Sequence, residues 1–111
     1  MNPYVIVGLT AKPDPPKPAD ILRIVSECTE ISTDDICRKV RKREIVQARH
    51  IVLYLCIEYG HSTIKSGKTV KRDHATAYFA HEKIKGLVML EIKQHDQLRG
   101  LITTIKTKLK Q

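Results

Sequence analysis

Apolar residues recur at three- and four-residue steps through most of the chain, the spacing that lines one face of an α-helix rather than alternate sides of a strand. Ile21, Ile24, Val25 and Cys28 make such a stripe, and Asp20 ahead of them suits an N-cap, so a first helix is predicted over residues 20–29. Ser32 with an acid three residues on, Asp35, has the form of a capping box and predicts a short second helix carrying Ile36 and Cys37. Residues 44–59 predict a long helix whose middle, residues 51–57, is apolar nearly all round, as in the central helix of a bundle. Gly60 follows in the position that ends helices. A short helix over residues 62–67, a turn, and a helix from Asp73 onward through Ala75, Ala77, Phe79, Ala80 and Ile84 make a candidate helix-turn-helix. Beyond Gly86, the positions Val88, Ile92, His95, Leu98, Ile102, Ile105 and Leu109 predict a last amphipathic helix, with Gly86 and Gly100 expected to bend or interrupt it. The fold class is therefore all-α, a compact bundle of about six helices with no internal repeat.

Residues 1–19 stand apart. Lys12-Pro13-Asp14-Pro15-Pro16-Lys17-Pro18 holds four of the five prolines and reads as an extended leader, leaving residues 20–111 as one domain. Tyr4-Val5-Ile6-Val7-Gly8-Leu9 is apolar, but it is too short to span a bilayer and lacks the basic flank of a signal peptide. Cys28, Cys37 and Cys56 have no CxxC spacing and fall on apolar helix faces, which favours small buried hydrophobes in a reducing compartment over disulfides or a zinc site. The five histidines are scattered in the same way, so no metal and no cofactor is expected.

Charge changes the picture. Twenty Lys and Arg against twelve Asp and Glu give +8, which favours a polyanionic partner, while 5% aromatic content with no Trp leaves little for stacking single-stranded bases. Duplex DNA fits better. The basic run Arg38-Lys39-Val40-Arg41-Lys42-Arg43 precedes the long helix, and Lys71-Arg72-Asp73-His74-Ala75-Thr76 opens the second helix of the helix-turn-helix. Residues in that first turn reach base edges in the major groove: Asp accepts from a cytosine amino group, His donates to purine N7 or O6, and Ala and Thr methyls pack on thymine. The plainer alternatives are an Asp that only caps a surface helix and a charge run that only solvates it. Gly67-Lys68-Thr69 is not a Walker A loop, because position 62 is Ser and no strand precedes it. Asp34 and Asp35, adjacent on a helix, do not face one another and read as a helix start rather than a catalytic pair. No enzyme is expected.

These two segments resemble the C-terminal double-strand-DNA-binding domain (domain IV) of the bacterial replication initiator family, DnaA, and the similarity runs from Ile21 to the C-terminus. Arg72-Asp73-His74-Ala75-Thr76, followed by Ala80 and Lys83-Ile84, resembles the family signature, and Lys39-Val40-Arg41-Lys42-Arg43-Glu44-Ile45-Val46-Gln47-Ala48-Arg49-His50 resembles its basic loop and long helix. The resemblance implies a Trp-repressor-like helix-turn-helix fold. It implies base reading by Arg72, Asp73, His74, Ala75 and Thr76 in the major groove and by Arg41 in the minor groove. Phosphate contacts would come from Lys39, Lys42, Arg43, Arg49, Lys68 and Lys71. Two positions depart from the family pattern. Ala75 stands where Ser or Thr is common, and Ser66 stands where the first helix of the motif usually carries an apolar residue.

The expected function is sequence-specific binding to a DnaA-box-like duplex in replication initiation or its regulation, by a cytoplasmic, nucleoid-associated protein. No ATP-binding module is read in this chain, and its oligomeric state is left open. Met1 and the proline-rich leader lean toward a stand-alone protein, such as a transcription regulator or a mobile-element protein, over a piece of a full initiator. The rivals are a protein-interaction module using the last helix and a basic surface for anionic membranes.

Overall fold

The computed structural model describes residues 15–89 and 96–110. They form six helices: α1 (Pro18–Thr29), α2 (Thr33–Cys37), α3 (Arg43–Glu58), α4 (Thr63–Thr69), α5 (His74–Met89) and α6 (Asp96–Leu109). Helix α3 is the axis of the bundle, packed by α1, α2, α4 and α5, while α6 lies on α1. Every residue from Ile51 to Cys56 is buried, so the nearly all-round apolar stretch is the centre of the core.

The helix boundaries follow local chemistry. Ser32 Oγ accepts from the Asp35 N–H at 3.1 Å and Ser62 Oγ from the Lys65 N–H at 3.0 Å, which starts α2 and α4. After α3 the chain closes a Schellman turn: the Gly60 N–H donates to the Ile57 carbonyl and the His61 N–H to the Cys56 carbonyl, with Gly60 at φ +97°. Helix α1 begins three residues earlier than an Asp20 cap would place it. Pro18 is its first residue, where a missing N–H costs nothing and the ring presets φ, and Asp20 falls in the first turn instead of capping it. The first helix thus takes in the last residues of the proline-rich stretch, and His61 Nε2 donates to the Pro16 carbonyl at 2.7 Å.

The break between the last two helices also differs from the expectation. Gly86 lies within α5, which runs on through Val88 to Met89, and Gly100 lies within α6. A Cβ at either glycine would meet nothing within 4 Å, so both sit on open helix surface, and neither interrupts its helix. The apolar stripe of α6 is core, with Leu98, Ile102 and Ile105 buried. The expectations for residues 1–14, Ile92 and His95 lie outside the described residues. Of the cysteines, Cys56 is fully buried, and burial pushes its thiol up to about 12. Cys28 and Cys37 are half-buried, and all three are free thiols.

Candidate nucleic-acid interface

Helices α4 and α5 meet through a turn whose closeness depends on one glycine. The Gly67 carbonyl accepts from the Val70 N–H at 3.1 Å and the Arg72 N–H at 2.8 Å, and a Cβ on Gly67 would lie 2.5 Å from the Arg72 carbonyl oxygen. Lys71 takes φ +58° to complete the reversal. Beside Gly67, Ser66 is fully buried and its Oγ lacks a hydrogen-bond partner among the described residues. It nonetheless lies close enough to the Cys56 thiol to favour the thiolate slightly, a minor influence beside burial.

The turn delivers Asp73 as the N-cap of α5. Its Oδ1 accepts from the Thr76 N–H at 2.8 Å, and its carbonyl accepts from the Ala77 N–H. The bond from the Thr76 N–H, with a further one from the Thr76 hydroxyl, holds the Asp73 carboxyl below the usual carboxylate range, so it stays ionised. Asp73, His74 and Ala75 are exposed, Thr76 is half-buried, and Ala77 and Ala80 turn into the core. The first turn of α5 therefore presents the three exposed residues outward as a group.

Alongside lies the basic loop, residues 38–42. Lys39, Arg41, Lys42 and Arg43 are exposed, as are Lys68 and Lys71 on the α4 side. Among the described residues none of these six is in an ion pair; the loop's one pair is Arg38 with Asp35 at 3.3 Å. The Arg38 end of the loop accepts from Arg72 in the turn before α5, so the loop's exposed cations adjoin the start of that helix, while Arg43 and Lys68 extend the positive surface along α3 and α4, as suits a polyanion.

Two arginines are placed differently from the sequence expectation. Arg49, expected on phosphate, is only 6% exposed and turns inward: Nε donates to the Ile36 carbonyl at 2.8 Å, and Nη2 donates to those of Arg38 and Val40 at 2.6 and 3.3 Å. Its pKa is lowered, first by burial and then by Arg72. Arg72, expected on bases, is half-buried. Its Nη1 donates to the carbonyls of Cys37, Val70 and Lys71, and its Nη2 to that of Arg38. Neither guanidinium is free to reach far into a groove while it makes these bonds. No sequence signal separates an arginine that grips the loop from within from one that grips phosphate, since Arg49 and Arg72 each stand in or beside a basic segment. The role of Gly67 was likewise invisible, although a glycine inside a short predicted helix is a sign of close backbone approach.

An exposed helix start set across a tight turn from a shorter helix, with an adjoining cationic loop, defines a helix-turn-helix DNA-binding domain. The profile of the bacterial DnaA helix-turn-helix family matches residues 18–84. The chain is 35% identical over 91 residues to the chromosomal replication initiator protein DnaA of Bacteroides thetaiotaomicron, covering 80% of this chain and 19% of that protein. It is 34% identical over 89 residues to the DnaA of Bacteroides fragilis, covering 78% and 19%, and 30% identical over 92 residues to that of Corynebacterium jeikeium, covering 81% and 16%. This chain belongs to the DnaA C-terminal helix-turn-helix family, a DNA-binding and non-catalytic domain. It spans about a fifth of the length of these relatives. Among the described residues no helix is long and apolar enough to cross a membrane.

Proposed function

We propose that this domain binds duplex DNA at a DnaA-box-like sequence, in replication initiation or its control. The observation that carries this reading is the exposed first turn of α5 preceded by a turn whose Arg72 bonds to the Cys37 and Arg38 carbonyls, which brings the start of the exposed, cationic loop beside it. In this reading His74, Ala75 and the exposed Asp73 carboxylate face base edges in the major groove, Thr76 lies at their margin, and Arg41 enters the adjacent minor groove. Lys39, Lys42, Arg43, Lys68 and Lys71 hold phosphates and set the register. The relatives named as replication initiators support the process, and the match over the helix-turn-helix supports the partner.

The roles separate experimentally. His74→Ala is expected to reduce discrimination between box and random duplex by about 1–3 kcal/mol while leaving non-specific binding nearly intact. Lys42→Ala is expected to weaken binding to both duplexes alike and to lower the salt slope by about one phosphate's worth. Titrations of both variants against both duplexes check this. Equal losses on box and random DNA for His74→Ala would remove direct readout from α5.

A further inference from the structure

The basic loop is held from within by the two inward-turned arginines, and this has a consequence for how the domain reads DNA. Arg49 comes from the buried face of α3, and Arg72 from the turn that launches α5. Their guanidinium groups converge on the same strip of backbone, where the Arg38 carbonyl accepts from both and those of Ile36, Cys37 and Val40 are each taken by one or the other. Arg72 also donates to the carbonyls of Val70 and Lys71, so a single side chain ties the loop to the backbone immediately before the reading helix. Val40, held by Arg49, stands between the exposed side chains of Lys39 and Arg41.

We propose that Arg49 and Arg72 are positioning residues that fasten the basic loop to the start of α5, making the contacts from Arg41 and from the first turn of α5 cooperative. The proposal rests on the DNA-binding reading above and adds to it how the two halves of the surface communicate. A loop of this charge left untied would have to be ordered when DNA arrives, and that entropic cost would weaken binding. Tied by charged donors to carbonyl oxygens, it meets the cost during folding. The arrangement also explains why only arginine serves. Each guanidinium engages carbonyls on separate residues at once through its planar fork, whereas an ammonium is a single compact donor centre. Two guanidinium groups side by side with no carboxylate among their hydrogen-bond partners further raise the positive potential under the loop, which a phosphate backbone offsets.

A double-mutant cycle on duplex binding tests this. Arg41→Ala is expected to cost about tenfold in affinity for an A·T-flanked box in the wild-type background, and less than about threefold in an Arg72→Lys background, because the untied loop no longer presents residue 41. Arg49→Lys provides a second background, and thermal unfolding of each variant checks that it folds. Arg41→Ala costing the same factor in every background, or nothing in any, overturns the coupling. The intact free protein supplies a test that needs no variant. By 15N relaxation the amides of residues 38–41 are expected to be as rigid as those of α3, and order parameters below about 0.6 there would overturn the proposal. Wild-type protein that does not distinguish the box from a shuffled duplex defeats the DNA reading itself, whereas a clear preference with an additive cycle defeats only the coupling.

Discussion

Gly67 and Ser66 are neighbours in the tightest part of the molecule, and they have opposite relations to stability. At Gly67 an added methyl would sit 2.5 Å from the Arg72 carbonyl and 2.9 Å from that of Asp73, both backbone atoms that cannot step aside without moving the start of α5. Gly67→Ala is therefore expected to lower stability by about 1–3 kcal/mol in urea unfolding and to weaken box binding beyond that. Unchanged stability would mean the turn yields freely. Ser66 carries a buried hydroxyl without a hydrogen-bond partner among the described residues, so Ser66→Ala is expected to raise stability by up to about 1 kcal/mol, the removed desolvation cost exceeding the small void. A lower unfolding midpoint would show that the hydroxyl is satisfied after all. Ser66 sits against the Cys56 thiol, and nothing else in the packing calls for a serine here.

Among the elements, the seam between α3 and α5 responds to pH through His50. Burial first, then Lys83 on α5 and Arg49 beside it, lower the His50 pKa in the folded protein. The unfolded chain therefore takes up a proton at a higher pH than the folded one, and stability is full above about pH 6.5 and falls as the pH drops below it. The thermal midpoint is expected to decline on acidification from neutrality, and less steeply in His50→Gln; parallel declines would show that His50 is not the group responsible. The helix starts at Ser32 and Asp73 were legible in the sequence, since each caps the helix it precedes, while Ser62, read as the first residue of its helix, is its cap. So was the Gly60 stop, which carries its own φ requirement. The start of α1 was not, because Pro18 competes with Asp20 for the same end and fixes φ more firmly than a side chain can. The division between α5 and α6 was missed because Gly86 and Gly100 were read as interruptions. Flanked by strong helix formers on exposed faces, each costs only a fraction of what a break would.

For the whole molecule, the charge of +8 and the periodic apolar pattern specified a basic helical bundle, and the exposed cations are where the proposed binding face lies. The exposed candidates, Lys39, Arg41, Lys42, Arg43, Lys68, Lys71, Asp73, His74 and Ala75, were legible because exposure at a helix start or in a polar loop follows from local pattern. Arg49 and Arg72 were not, because their carbonyl partners are defined only when α2, α3 and the turn before α5 come together. In the proposed account the domain is one surface with two reading parts joined by an internal clamp. The most direct test of that surface is a fluorescence-anisotropy titration of this chain, at two salt concentrations, against a labelled duplex carrying a DnaA-type box and a shuffled duplex of the same composition. A preference for the box of about tenfold or more is predicted, with both affinities falling as salt rises. Equal, steeply salt-dependent binding to the two duplexes would contradict it.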